Sequence, residues 1–181
     1  MTKKIFLISL LVFNLFAILY LISPPPQISN LPQGVKSNLP GDTTQITNVS
    51  AYFTNLDRSQ IINFYRQAYS HPFLVHLNHP PEKSKQIFVD TMRSYYLEEL
   101  IIPFKESLFI NGFEWEKDVF TKPEKRAANK LIYQDQTYSA KITLRTFPTP
   151  VWKRFLAFFF TEFTLLSCPC FVYSVFRRHH A

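Results

Sequence analysis

The stretch Ile5–Ile22, IFLISLLVFNLFAILYLI, carries no charge and follows directly on Lys3 and Lys4. Wound as an α-helix at about 1.5 Å per residue, it reaches across a hydrocarbon core of about 27–30 Å. A second run, Phe155–Phe176, FLAFFFTEFTLLSCPCFVYSVF, lies near the other end of the chain. Two such runs predict two transmembrane helices with one domain between them. The expected layout is a cytoplasmic N-terminus over 1–4, a first span over 5–22, and a Pro-rich tether over 23–47. An extracytoplasmic α+β domain then occupies 48–150, a second span with an interfacial start 151–176, and a cytoplasmic C-terminus 177–181.

The first run exceeds the 7–15-residue apolar region of a cleaved signal peptide, and no A-x-A-like site precedes Ser23-Pro24-Pro25-Pro26. An uncleaved anchor is expected. Lys3 and Lys4 stand before it and no Lys or Arg follows until Lys36, so the positive-inside bias places the N-terminus in the cytoplasm. The second run must then return, which puts Tyr20 and Trp152 at one outer interface, where amphipathic rings prefer to sit. An interfacial helix is the alternative for this run, but its polar residues are too few to make a wet face.

Charge supports anchoring over nucleic-acid binding. The chain carries a formal +7. Removing the six basic residues that flank the runs (Lys3, Lys4, Lys153, Arg154, Arg177, Arg178) from twenty, and Glu162 from thirteen acids, leaves +2 for the segment between. No basic stripe remains for phosphates. Both cysteines, Cys168 and Cys170, fall in the second run, so no disulfide staples the domain and packing must hold it.

Two polar groups lie inside the apolar runs. Asn14 and Glu162 differ in expected depth by about one helical turn, roughly 5 Å, when the runs pack antiparallel. Asn14 is expected to donate to a protonated Glu162 and pin the helices together. A proton or ion relay is the other reading of an intramembrane acid, but no chain of further polar partners accompanies it.

Between the runs, five prolines and two of the three glycines make Ser23 to about Ile46 an extended tether. Val49–Phe53 reads as a strand. Asp57 and Gln60 have capping-box spacing, and Ile61, Phe64, Tyr65, Ala68 and Tyr69 follow on one helical face. His71–Asn78 alternates as a strand, and Pro80-Pro81-Glu82 opens a second helix with a stripe over Ile87, Phe88, Thr91, Met92 and Tyr95. Leu97–Ile102 fits the end of that helix or a strand. Around Asn111-Gly112, a type I′ hairpin and a short helix from Pro103 capped at Gly112 both fit. Asn129–Gln134 and Thr137–Phe147 form an antiparallel pair about a turn at Asp135-Gln136. Helices segregated from an antiparallel sheet make the class α+β.

Candidate chemistry is thin. His71, His76 and His79 are imidazoles that suit zinc or copper, yet the spacing H-x4-H-x2-H matches no established ligand pattern. On a strand, His71 and His76 would also point to opposite faces. Glu114, Glu116 and Asp118 alternate with Phe113 and Trp115, as on a solvated sheet face over a buried Trp115. Glu98 and Glu99, being adjacent, diverge. Cys168-Pro169-Cys170 resembles the CPC motif in the membrane helix of heavy-metal-transporting P-type pumps. That resemblance covers three residues and implies soft-metal handling, but the nucleotide and phosphorylation strings of such pumps are absent. There is likewise no G-x-S-x-G, no H-E-x-x-H and no glycine-rich phosphate loop. The sequon Asn48-Val49-Ser50 matters only in a glycosylating pathway.

These features predict a non-enzymatic, cofactor-free interaction or envelope subunit with the bilayer and a protein partner or second copy as company, and no nucleic acid. The alternative is a membrane-tethered metal-dependent enzyme or metal handler using His71, His76 and His79, or Cys168 and Cys170.

Overall fold

The computed structural model describes all residues except 1, 41, 43–46, 81–82, 84–95, 119–120 and 180–181, and describes backbone alone for 2–3 and 169–179. The chain divides into two compact units, Met1–Pro24 with Thr149–Ala181, and Pro25–Pro148.

The first unit is a pair of helices, α1 (Thr2–Ile22) and α3 (Val151–His179). Their apolar side chains face outward: Leu7, Leu11, Phe16, Phe160 and Phe163 are all more than half exposed. Among the described residues one helix, Lys4–Ile22, is long and apolar enough to cross a membrane, with a mean hydropathy of 2.8. The same properties fit a signal sequence.

The second unit is α+β. Its sheet has the order β1 (Gly34–Lys36), β2 (Val49–Thr54), β8 (Ala140–Pro148), β5 (Glu106–Glu114), β4 (Tyr96–Ile102) and β3 (Val75–His79), antiparallel throughout. A hairpin of β6 (Leu131–Tyr133) and β7 (Gln136–Tyr138) stands apart from it. Its turn residues, Gln134 and Asp135, both have left-handed backbone (φ 50° and 59°), the twist that two-residue hairpins need.

Register sorts the sheet into two faces. Tyr52, Ile142, Gly112 and Tyr96 lie in one row across β2, β8, β5 and β4, and α2 (Arg58–Ala68) covers that face with Ile61, Ile62 and Tyr65. Burying side chains of this size contributes about 1.5–3 kcal/mol each. The helix starts where the sequence predicts. Asp57 accepts from the Gln60 amide while the Gln60 side chain accepts from the Asp57 amide, the complete capping box. On the opposite face Phe53 stacks on Tyr133 at 4.5 Å between ring centres, so the β6–β7 hairpin shields that corner.

Three expectations are corrected, and the choice left open for Leu97–Ile102 is settled. The tether does not run to residue 47: Gly34–Lys36 pairs with Tyr52–Thr54, and Leu31 and Ser37 are buried. Leu97–Ile102 belongs to a strand. Asn111-Gly112 is neither a hairpin turn nor a helix cap, because β5 runs straight through it. Gly112 sits opposite Tyr96, and a Cβ there would run into the Tyr96 ring. The glycine makes room for an aromatic ring on the neighbouring strand. The hairpin turn lies instead at Pro103–Lys105, with Phe104 at φ 63°. Finally, His71 precedes β3, which begins at Val75. The helical stripe read over Ile87–Tyr95 lies outside the described residues.

Candidate functional site

The densest polar arrangement in the domain forms where the first turn of α2 meets β4. The capping box fixes the helix start, which aims the Arg58 side chain down onto the sheet. There Glu98, only 3% exposed, accepts from Arg58 through one oxygen and meets His76 Nε2 with the other at 2.8 Å. The Arg58 guanidinium also lies 4.9 Å over the Tyr96 ring. On β5, Glu114 accepts from the Arg58 backbone N–H at 3.0 Å and pairs with Lys117 at 2.6 Å. An open cleft of about 440 Å³ beside these groups is lined by Asp57, Arg58, Ser59, Ile62, Asn63, Glu98 and Lys117.

Electrostatics make this a satisfied network. A carboxylate taken out of water needs compensation for lost hydration, and the Arg58 guanidinium and the His76 imidazole supply it to Glu98. Burial pushes the Tyr96 phenol up, with the nearby Glu114 carboxylate adding and Arg58 opposing. Burial also raises Tyr69, whose hydroxyl donates to Glu106, and Tyr65. The Ser59 hydroxyl and then the Gln60 amide hold Asp57 below its ordinary value. Glu98 orients the His76 imidazole as a carboxylate does in a general-base dyad. Among the described residues, no hydroxyl or thiol is bonded to His76, and the bonds of the arrangement tie α2, β3 and β4 together.

The three histidines named from sequence do not converge. His76 stands in register with Leu100 and reaches Glu98 on the α2 side of the sheet. His79 stands opposite Leu97 and meets Glu99 at 2.8 Å on the other side. Residues three apart on a strand point to opposite faces, which is the physical reason. His71 lies in the preceding turn and accepts from the Phe73 amide at 3.2 Å. Among the described residues no group of three His, Cys, Asp or Glu is placed to hold a metal.

Glu98 and Glu99 do diverge, and each takes a histidine of β3 as its partner. Sequence reading missed both pairs, because the partners lie 22 and 20 positions apart and only the β3–β4 register joins them. The acidic alternation at 114–118 is not a solvated strand face. β5 ends at Glu114, which is buried, a 3-10 turn follows over Trp115–Lys117, and Asp118 is buried. Trp115 is only half-buried, its indole N–H donating to the Tyr138 carbonyl.

In the helical unit, Asn14 Nδ2 donates to Glu162 Oε1 at 2.7 Å and to the Leu10 carbonyl at 3.1 Å. A second tie went unread in the sequence. Arg154, 5% exposed, donates to the Leu21 and Ser23 carbonyls at the end of α1 and to Thr149. These carbonyls are among the acceptors a helix C-terminus leaves open. Cys168 is a free, exposed thiol, and Pro169 and Cys170 continue the α3 backbone. No family model, no curated protein and no solved structure matches the chain.

Proposed function

We propose that the chain is a two-span membrane protein that displays its α+β domain outside the cytoplasm as a non-catalytic protein-interaction module. α1 and α3 would cross the bilayer in opposite directions, with both termini cytoplasmic and residues 23–150 on the outer side. Support for the crossings comes from the outward-facing apolar side chains of both helices and from the Asn14–Glu162 and Arg154 ties between them. Polar groups in hydrocarbon favour one another because the alternative is no partner at all.

The observation that carries the interaction reading is β3. Among the described residues it is an end strand of the sheet, four of its five side chains are exposed, and Val75 and Leu77 sit at 43% and 41% exposure. Strand edges of this kind accept an added strand, with backbone hydrogen bonds giving affinity and alternate side chains giving selectivity. The His76–Glu98 and His79–Glu99 pairs anchor β3 from both faces, so the edge is held in place for a partner.

The test is photo-crosslinking in native membranes from a reactive side chain at Leu77, compared with one at Ile132 on the distant hairpin. A discrete adduct from position 77 alone is expected. Equal or absent adducts at both positions would remove the edge-strand reading. Modification of Lys36 by a membrane-impermeant amine reagent in intact cells checks the sidedness independently.

A further inference from the structure

The domain's exposed hydrophobic side chains are not scattered. Among its described residues the large ones are Leu39, Phe73, Val75, Leu77, Phe104, Ile132 and Phe147. Register places four of them at one end of the sheet. Glu106 pairs with Pro148 and with Ile102, so the turn holding Phe104 lies at the Pro148 end, next to Phe147. Val75 pairs with Ile101, so Val75 and the preceding turn with Phe73 lie there too.

Charge at that end is as selective as hydropathy. Across the described residues 71–75, 101–107 and 145–148 the one acid is Glu106, buried and accepting from Tyr69. The Arg145 guanidinium stacks on Phe147 at 4.9 Å. A rim of phenylalanines with a cation beside it and no exposed carboxylate matches an anionic, amphipathic surface rather than water.

Covalent reach narrows the choice of partner. β8 ends at Pro148 and α3 begins at Val151. Four residues from Pro148 to Trp152 span at most about 14 Å when fully extended. A Trp at a membrane interface would therefore keep this end close to the headgroups, whose layer is about 5–8 Å deep on each side. The opposite end of β8, at Ala140, is about 27 Å away along the strand.

We propose that the sheet end bearing Phe73, Phe104 and Phe147 rests in the headgroup layer of the lipid bilayer, so that the domain stands on the membrane by this rim. The inference rests on the two-span reading and adds a lipid-binding surface to it. β3 would then run away from the bilayer from Val75 to His79.

The test uses the full chain reconstituted in vesicles of phosphatidylcholine and phosphatidylglycerol, with and without bromine on the acyl chains near the glycerol. The native Trp115 at the far end and Trp152 at the start of α3 serve as internal references. In a Trp152→Phe background, Trp115 is expected to keep its emission in brominated vesicles. Adding Phe73→Trp or Phe104→Trp is expected to introduce a blue-shifted component that loses most of its intensity there, while Ile132→Trp introduces one that does not. If Trp152 of the parent protein is quenched but position 73 and position 104 are not, the rim does not touch lipid and the inference falls alone. If Trp152 is also unquenched, the two-span reading falls and takes the rim with it. Nitroxide labels at 73 and 104, read by accessibility to oxygen against a nickel chelate, give the same decision should the Trp variants misfold.

Discussion

Glu98 and Glu162 are the same side chain in two regions, and the molecule treats them differently. Glu98, in the domain, meets a guanidinium and an imidazole, with an aromatic ring packed beneath the guanidinium. Glu162, in the helical pair, takes one hydrogen bond from the neutral amide of Asn14. The first arrangement suits an ionised carboxylate shielded from water, which needs cations nearby. In the second, the donor is a neutral amide, so among the described residues no opposite charge faces the carboxyl group. The contrast separates a carboxylate that fixes a helix onto a sheet from one that holds two helices side by side.

The largest expected effect tests the domain half. Arg58→Ala leaves Glu98 with His76 alone and is expected to cost about 2–3 kcal/mol. That is below the 3–5 kcal/mol of a fully buried pair, because Arg58 is itself a third exposed. Urea unfolding of the full chain in detergent, followed by Trp115 emission, measures it. A loss under half a kilocalorie would show that Glu98 is not held as an ion. Next comes the packing beneath that pair. Gly112→Ala drives a methyl into the Tyr96 ring on which Arg58 lies and should cost about 1–3 kcal/mol by the same measurement.

The helical half is expected to respond less. Asn14→Leu removes the only amide bonded to Glu162 among the described residues and should weaken association of α1 with α3 by about 0.6–2 kcal/mol. Steric trapping in bicelles reads this value. A loss as large as that of Arg58→Ala would erase the distinction between the two glutamates.

The smallest effect is on pH. His71 is held below its ordinary 6.5 by burial and then by Lys105. Its folded form binds a proton less readily than its unfolded form. Its contribution to stability is therefore present above about pH 6.5 and is lost as the pH falls below that value. A His71→Gln variant should flatten the slope of unfolding free energy against pH in that window.

What the sequence disclosed follows the distance over which each decision is made. The Asp57–Gln60 cap and the Ile61–Tyr65 stripe are settled within one or two turns, and both were legible. Asn111-Gly112 carries the local signature of a turn, yet Tyr96 on the next strand decides its role. The true turn places Phe104 in left-handed backbone, which no local preference for phenylalanine would suggest. β1 was hidden because three residues of strand, in a segment rich in proline, exist only by pairing with β2. The histidine–glutamate pairs were illegible for the same reason. They follow from strand register, and a one-residue slip would have broken both.

Arg154 has a consequence for how the polypeptide is made. The carbonyls of Leu21 and Ser23 find their donor 131 to 133 positions further along. The ribosome therefore releases the first helix long before the side chain that completes it exists. Until the second helix emerges, a chaperone, an insertase or water must satisfy that unfinished end. A transcript cut short of position 154 would leave the defect permanent.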